Sequence, residues 1–221
     1  MLKARLCTFT LLVISGCSVQ LFGQKIPLVL SGLELINVTA TETVYHKEKA
    51  VRIVGSKEGE QIAIIKDLEF RDGLIEIDMA GAPLPGSDPS FRGFIGLAFR
   101  VLKGDSLRYE CFYIRPTNGR AEDQLRRNHS AQYIAHPGYP WFKLRKENPG
   151  VYESYVDLIA GEWTKVKIKV KGKDARLYVN DAPEPCLIVT DMKHDIQSGG
   201  IALWIGVGTD GYFKNLRVTK E

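Results

Sequence analysis

From Lys165 to Lys171 every second residue is lysine, and Val166, Ile168 and Val170 fill the positions between. A period of two cannot wrap onto one stripe of a helix. It puts the apolar residues on one face of a strand and the cations on the other. Gly172-Lys-Asp174 follows as a turn, and Ala175–Val179 repeats the period. This hairpin therefore belongs to an antiparallel sheet with one face against a core and one in water. The lysine stripe could meet anionic glycans; as a solvated outer face it also discourages edge-to-edge pairing.

The same signature recurs along the chain. Leu74–Met79 alternates cleanly, with Glu76 and Asp78 on one face and Ile75, Ile77 and Met79 on the other. Ala50–Val54, Gln61–Leu68, Leu187–Asp191, Ile201–Val207 and Tyr212–Val218 also read as strands, separated by Gly, Pro, Asp and Ser clusters. Gly81–Gly93 reads as a proline- and glycine-rich surface loop. Ala121–Asn128 reads as a short helix with Glu122/Arg126 and Asp123/Arg127 ion pairs. Val151–Asp157 returns to strand. Many short strands at regular turn spacing predict an all-β, two-sheet antiparallel jelly-roll sandwich in one domain over residues 33–221, preceded by a linker over 24–32.

Residues 1–23 read as a signal peptide: Lys3 and Arg5 form a basic start, and a mostly apolar run follows. The run is interrupted by Ser15, Gly16, Ser18 and Gln20, and lies near the lower limit of about 17 residues for a membrane span. No transmembrane helix is expected. Cleavage after Gly23 would free Gln24. Ile14-Ser-Gly-Cys17 offers the alternative of a lipid anchor at Cys17. The expected location is exported, periplasmic or extracellular, with a lipoprotein at the cell envelope as the other reading. Without residues 1–23 the chain carries 28 basic and 26 acidic residues, a balance that makes no case for nucleic acid. Export permits disulfides, and Cys111 and Cys186 could form one; the other reading is two buried thiols.

Three further strands carry the candidate chemistry: 94–101, 108–116 and 129–136. Alternation places Tyr109, Cys111, Tyr113 and Arg115 on one face, and Gln132, Ile134 and His136 on one face of the next strand. Arg100 should share a face with Gly96 and Ala98, whose small side chains would leave room for a ligand. The loop Pro137–Phe142 adds Tyr139 and Trp141. Planar hydrogen-bonding groups beside an aromatic platform suit a sugar, whose hydroxyls take the former and whose C–H face lies on the latter. The candidate ligand residues are therefore Arg100, Tyr113, Arg115, Gln132, His136, Tyr139 and Trp141. The competing reading makes Arg115 and Glu110 buried partners and lets Gln132 satisfy loop backbone. Candidate acid–base groups are His136, Glu110 and Asp123. No metal site is read from the sequence and no cofactor is required. Ca²⁺ at the loop residues Asp88, Asp105 and Asp210 is a further candidate.

Four segments carry a family resemblance: Gly73–Asp78, Gly93–Arg100, Gly161–Ile168 with its hairpin, and Gly199–Trp204 leading to Gly211–Val218. Over roughly residues 40–219 the chain resembles the concanavalin A-like lectin/glucanase superfamily. Within it, the chain is similar to secreted bacterial laminin G-like and 3-keto-disaccharide hydrolase (family 16 glycosidase-like) proteins. The resemblance implies two curved sheets with ligands on the concave face or its rim. Glu76-Ile77-Asp78 matches the start of the glucanase motif Glu-x-Asp-x-x-Glu, but Gly81 stands where the last carboxylate belongs. Double displacement needs both carboxyls about 5 Å apart. Three expectations follow: a lectin-like glycan-binding domain, a glycoside-cleaving hydrolase or lyase, and an adhesion module in which internal salt bridges consume Arg100 and Arg115.

Overall fold

A computed structural model describes residues 23–55 and 59–221. The leader, its cleavage site and Cys17 lie outside the described residues. In chain order the strands are β1 (Gln24–Lys25), β2 (Leu33–Ile36), β3 (Val38–Tyr45), β4 (Glu48–Gly55), β5 (Ile62–Phe70), β6 (Gly73–Pro83), β7 (Ile95–Leu102) and β8 (Arg108–Ile114). They continue with β9 (Ala131–His136), β10 (Glu153–Ser154), β11 (Thr164–Lys171), β12 (Asp174–Val179), β13 (Leu187–Val189), β14 (Gly199–Ile205) and β15 (Thr209–Lys220). Two short helices, α1 (Gln124–Arg127) and α2 (Trp141–Glu147), lie on either side of β9 in the chain.

One sheet runs β13-β12-β11-β6-β15-β4-β3, with β1 added beside β15. The other runs β10-β9-β8-β7-β14-β5-β2. Every pairing is antiparallel within each sheet, as the alternation in the sequence requires. Ile75, Ile77, Val166, Ile168 and Phe213 from the first sheet meet Leu97, Phe99, Phe112, Tyr133 and Leu203 from the second in one core. The lysines of β11 point away from it, beside Glu76, Asp78 and Arg217. Glu76 and Asp78 thus stand on the outer face of the first sheet.

Several expectations shift locally. The segment 24–32 is tied down: Gln24 and Lys25 pair with Val218 and Arg217. Strand β6 continues to Pro83, so the loop after it starts later than the prolines suggest. The helix read over 121–128 contracts to Gln124–Arg127. Asp123 caps it, accepting from the Arg126 N–H at 2.6 Å, where ion pairs along it were expected. Only Glu153–Ser154 of the 151–157 segment is strand. Trp141 and Phe142, read as the end of the aromatic loop 137–142, instead open a helix that runs to Glu147. Pro140 starts it, Leu144 is buried under it, and Arg145 and Lys146 sit in its last turn, where cations suit the helix dipole.

Cys111 and Cys186 are both free thiols. Cys111 belongs to the outward face of the second sheet, whereas Cys186 packs against the inter-sheet core, so no bridge joins them.

Candidate binding site on the outward face

The second sheet has a second apolar layer on the face turned away from the core. Ile62, Ile64, Ala98, Tyr109, Cys111, Tyr113, Ala202 and Trp204 form it. A structural sandwich would put charge there, as the first sheet does. The row across the sheet explains how the layer is built. Trp204 on β14 pairs with Gly96 on β7, which pairs with Tyr113 on β8. The Trp204 and Tyr113 rings meet over the glycine, with centroids 4.8 Å apart and planes inclined by 31°. A Cβ at Gly96 would lie 2.3 Å from the Phe112 carbonyl oxygen and 2.5 Å from Tyr113 Cβ. The room that Gly96 was expected to leave for a ligand is therefore occupied by aromatic rings.

Phe94 lies 5.5 Å from the Tyr113 ring. Together with Phe91, Ile134, Trp141 and Val207 these rings line an open hollow of about 300 Å³. That is the lower end of the range for small-molecule sites, about 300–1,000 Å³. Phe91 reaches the hollow because Gly208, at φ 67°, has no side chain: a Cβ there would fall 1.9 Å from the Phe91 ring. Trp141 is 40% exposed, so the wall it forms remains open to a ligand.

Arg115 closes one end. Its guanidinium carbon sits 5.0 Å from the ring centroids of Phe94 and Tyr113 and 5.7 Å from that of Trp141. It donates to the His129 carbonyl at 2.8 Å, to Tyr113 Oη at 2.7 Å and to Gln132 Oε1 at 3.2 Å. Burial pushes the guanidinium pKa down, and nearby Arg145 adds to the effect. Burial raises the Tyr113 phenol to about 12, so it stays neutral and can accept from Arg115. Gln132 also donates to the Tyr133 and Tyr152 carbonyls, both at 2.9 Å, and so satisfies backbone at the sheet edge.

A carboxylate that the sequence reading missed stands at another part of this face. Glu60 Oε1 lies 3.2 Å from His136 Nδ1, and Tyr109 Oη donates to Glu60. The His136 ring stacks on Tyr109 at 5.2 Å and 17°. Trp204 Nε1 donates to Tyr109 Oη at 3.2 Å, which joins this polar cluster to the aromatic hollow.

Of the residues singled out in the sequence, Tyr113, Arg115, Gln132 and Trp141 converge, and His136 shares their face. The others do not. A bulge in β7 at Arg100, where φ is 53°, breaks the alternation. The Arg100 side chain then leaves the Gly96/Ala98 face and is buried against turns. It donates to the Arg71 carbonyl and Asp72 Oδ1 at 2.8 Å and to the Gly172 carbonyl at 2.9 Å. Tyr139 packs beside Lys143 and Lys193, toward the core side of β9. Glu110 is 1% exposed, accepting from Tyr133 Oη and, at 2.8 Å, from the His194 N–H. No substrate can reach it there. Asp123 is the cap of α1 described above.

Among the described residues no group of three or more His, Cys, Asp or Glu side chains could hold a metal ion. Asp88 accepts from the Ser90 N–H at 2.7 Å and Asp210 accepts from Arg52 at 2.7 Å, so those two candidate Ca²⁺ ligands serve separate local contacts. No helix among the described residues is long and apolar enough to cross a membrane.

With this architecture the chain has the concanavalin A-like jelly-roll fold found in lectins and glucanases. Solved structures similar to it support that assignment. Carbohydrate binding module CBM66 from Bacillus subtilis superposes with a TM-score of 0.59 at 14% identity, covering 86% of this chain and 96% of the module. A galectin-like protein of unknown function from Bacillus subtilis gives 0.57 at 11% identity, covering 86% and 90%. The exoplasmic/lumenal domain of VIP36, in a Ca²⁺/Man3GlcNAc-bound form, gives 0.53 at 10% identity, covering 91% and 87%. No protein-family model matches the sequence, and none of the curated proteins matches it.

Proposed function

We propose that the chain is an exported carbohydrate-recognition domain that seats a glycan on the outward face of the second sheet. One observation carries this reading: Phe94, Tyr113, Trp141 and Trp204 surround an open hollow on a face that a merely structural sandwich would solvate. Trp141, 40% exposed, and half-buried Phe94 present flat apolar surface to the C–H face of a sugar, and the buried Tyr113 and Trp204 rings pack behind them. Arg115, already fixed by three hydrogen bonds and three rings, rigidifies that surface more than it binds ligand. The carbohydrate-binding role named for CBM66 and the Man3GlcNAc bound in the VIP36 structure add support for the class of ligand. The basic, then apolar, N-terminal sequence supports export.

A glycan array with the parent chain, Trp141→Ala and Trp204→Ala tests the reading. At least one glycan should bind the parent and lose binding to both variants. Undiminished binding by both variants would remove the hollow as the site.

A second reading, cleavage of a glycosidic bond, is favoured by Glu60 and His136 alone. A carboxylate 3.2 Å from an imidazole, both about one-third exposed, has the makings of a proton-transfer pair. It predicts reducing-end release from an oligosaccharide by the parent and its loss in Glu60→Gln. Binding without release in the parent would discard it.

A further inference from the structure

Beyond Trp141 the hollow opens into a second space of about 480 Å³, which shares Arg92, Phe94 and Trp141 with the first. Four guanidinium groups line it, those of Arg92, Arg115, Arg126 and Arg145. Asp123 is the one carboxylate among its lining residues, and it already caps α1. Glu153 lies behind Arg145, bonded to it at 2.7 Å and shared with His129 at 3.2 Å.

The other three arginines pair with no carboxylate among the described residues. Arg92 donates to the Pro89 and Phe91 carbonyls. Arg126 donates to Asn118 Oδ1 at 3.0 Å and the Thr117 carbonyl at 3.1 Å. Arg115 is held as described above. These are neutral acceptors, so no carboxylate sits in contact with the three cations; Glu153 acts on Arg115, Asp123 on Arg126 and Asp88 on Arg92 only at longer range. Burial lowers the pKa of Arg126 and the Arg92 cation lowers it further; Arg145 acts the same way on Arg115. Crowding like charges in a partly desolvated recess costs stability, and an anion placed there relieves it. Guanidinium forks match planar or tetrahedral oxyanions.

We propose that the glycan bound by this chain is acidic, with an oxyanion substituent, a uronate carboxylate or a sulfate ester, seated between Arg92 and Arg126. The inference rests on the carbohydrate reading: the sugar next along from one seated against Phe94 and Trp141 enters the arginine-lined space past Trp141. The aromatic hollow then holds the chain of sugars, and the arginines select for its charge.

Titration calorimetry tests this with a galacturonate trisaccharide and its methyl ester, and with a sulfated disaccharide and its desulfated form. At least one acidic probe should bind about tenfold or more tightly than its neutral counterpart. The gap should narrow as salt is raised. Which acidic probe wins assigns carboxylate or sulfate. Arg126→Ala should erase most of the gap. Leu125→Glu should do so without touching any structural bond, because Leu125 lines the space and is 67% exposed. Equal affinity for acidic and neutral probes would overturn the inference and leave the carbohydrate reading standing. An acidic preference unchanged in both variants would place the anion elsewhere and overturn it too. Absence of binding by every probe, with a blank glycan array, would end both.

Discussion

Trp204 and Tyr113 face each other across Gly96, their rings 4.8 Å apart on the side of the sheet away from the core. This pair is the floor of the hollow, and it exists because the residue between them has no side chain. Gly96→Ala should therefore act on both stability and binding. Its Cβ would meet backbone at 2.3 Å, which cannot simply rotate away. Denaturant unfolding should show a loss of about 1–3 kcal/mol, typical of overpacking. Glycan affinity should fall with it. A variant as stable and as tight-binding as the parent would contradict this account of the floor.

Arg100 separates structural from binding arginines. It is 3% exposed, bound to Asp72 and two carbonyls, with Nη1 left without a partner. Arg100→Met should lower unfolding stability by about 2–4 kcal/mol, since it strips a buried partner from Asp72. Glycan affinity measured well below the melting temperature should not change. Loss of binding in a folded variant would return Arg100 to the site.

Histidine burial sets an acid limit on stability. The His194 pKa is lowered chiefly by burial, with Arg108 and the His136 ring adding to it, against the opposing pull of Glu110 and of the bond to the His136 carbonyl. Its Nε2 lies 2.9 Å from the His136 carbonyl oxygen, which fixes it as a donor. His129 shifts the same way, again chiefly through burial, although Glu153 opposes it. Because the folded state binds these protons less readily, unfolding takes protons up just below the ordinary histidine pKa of about 6.5. The stabilisation is present above that value and is lost as pH falls through the folded pKa values. Melting temperature should drop between about pH 7 and pH 5, and His194→Asn should flatten the slope. A parent whose melting temperature is level across that range, or a variant with the parent's slope, would count against it.

The sandwich was legible because alternation is a local property. Val166, Ile168 and Val170 announce a half-buried strand without reference to any neighbour, and the lysines between them announce its wet side. Half of the site was legible by the same rule: Tyr113, Arg115 and Gln132 fall on one face by counting. Arg100 was misplaced because a bulge with positive φ adds a residue and redirects the side chain, and nothing in Phe99-Arg100-Val101 signals it. Trp204 could have been found, since Ile201, Leu203 and Ile205 assign the inward face and leave Trp204 opposite. Glu60 could not, because it sits in a turn where no period applies and reaches His136 only through the tertiary fold. The arginine-lined space joins the segment just after β8 to the loops before β7 and β9 and to both helices, a convergence that no short window of sequence contains.

The three tryptophans provide the most direct test of a glycan in the hollow. Trp141 and Trp204 line it, whereas Trp163 packs beside Tyr45 and Lys214 on the first sheet. Their indole N–H signals can be followed by NMR while a glycan selected from the array is titrated in. The Trp204 and Trp141 signals should move together and saturate while that of Trp163 stays fixed. Movement of Trp163 alone, or three stationary signals under a glycan that calorimetry shows to bind, would contradict the proposed site.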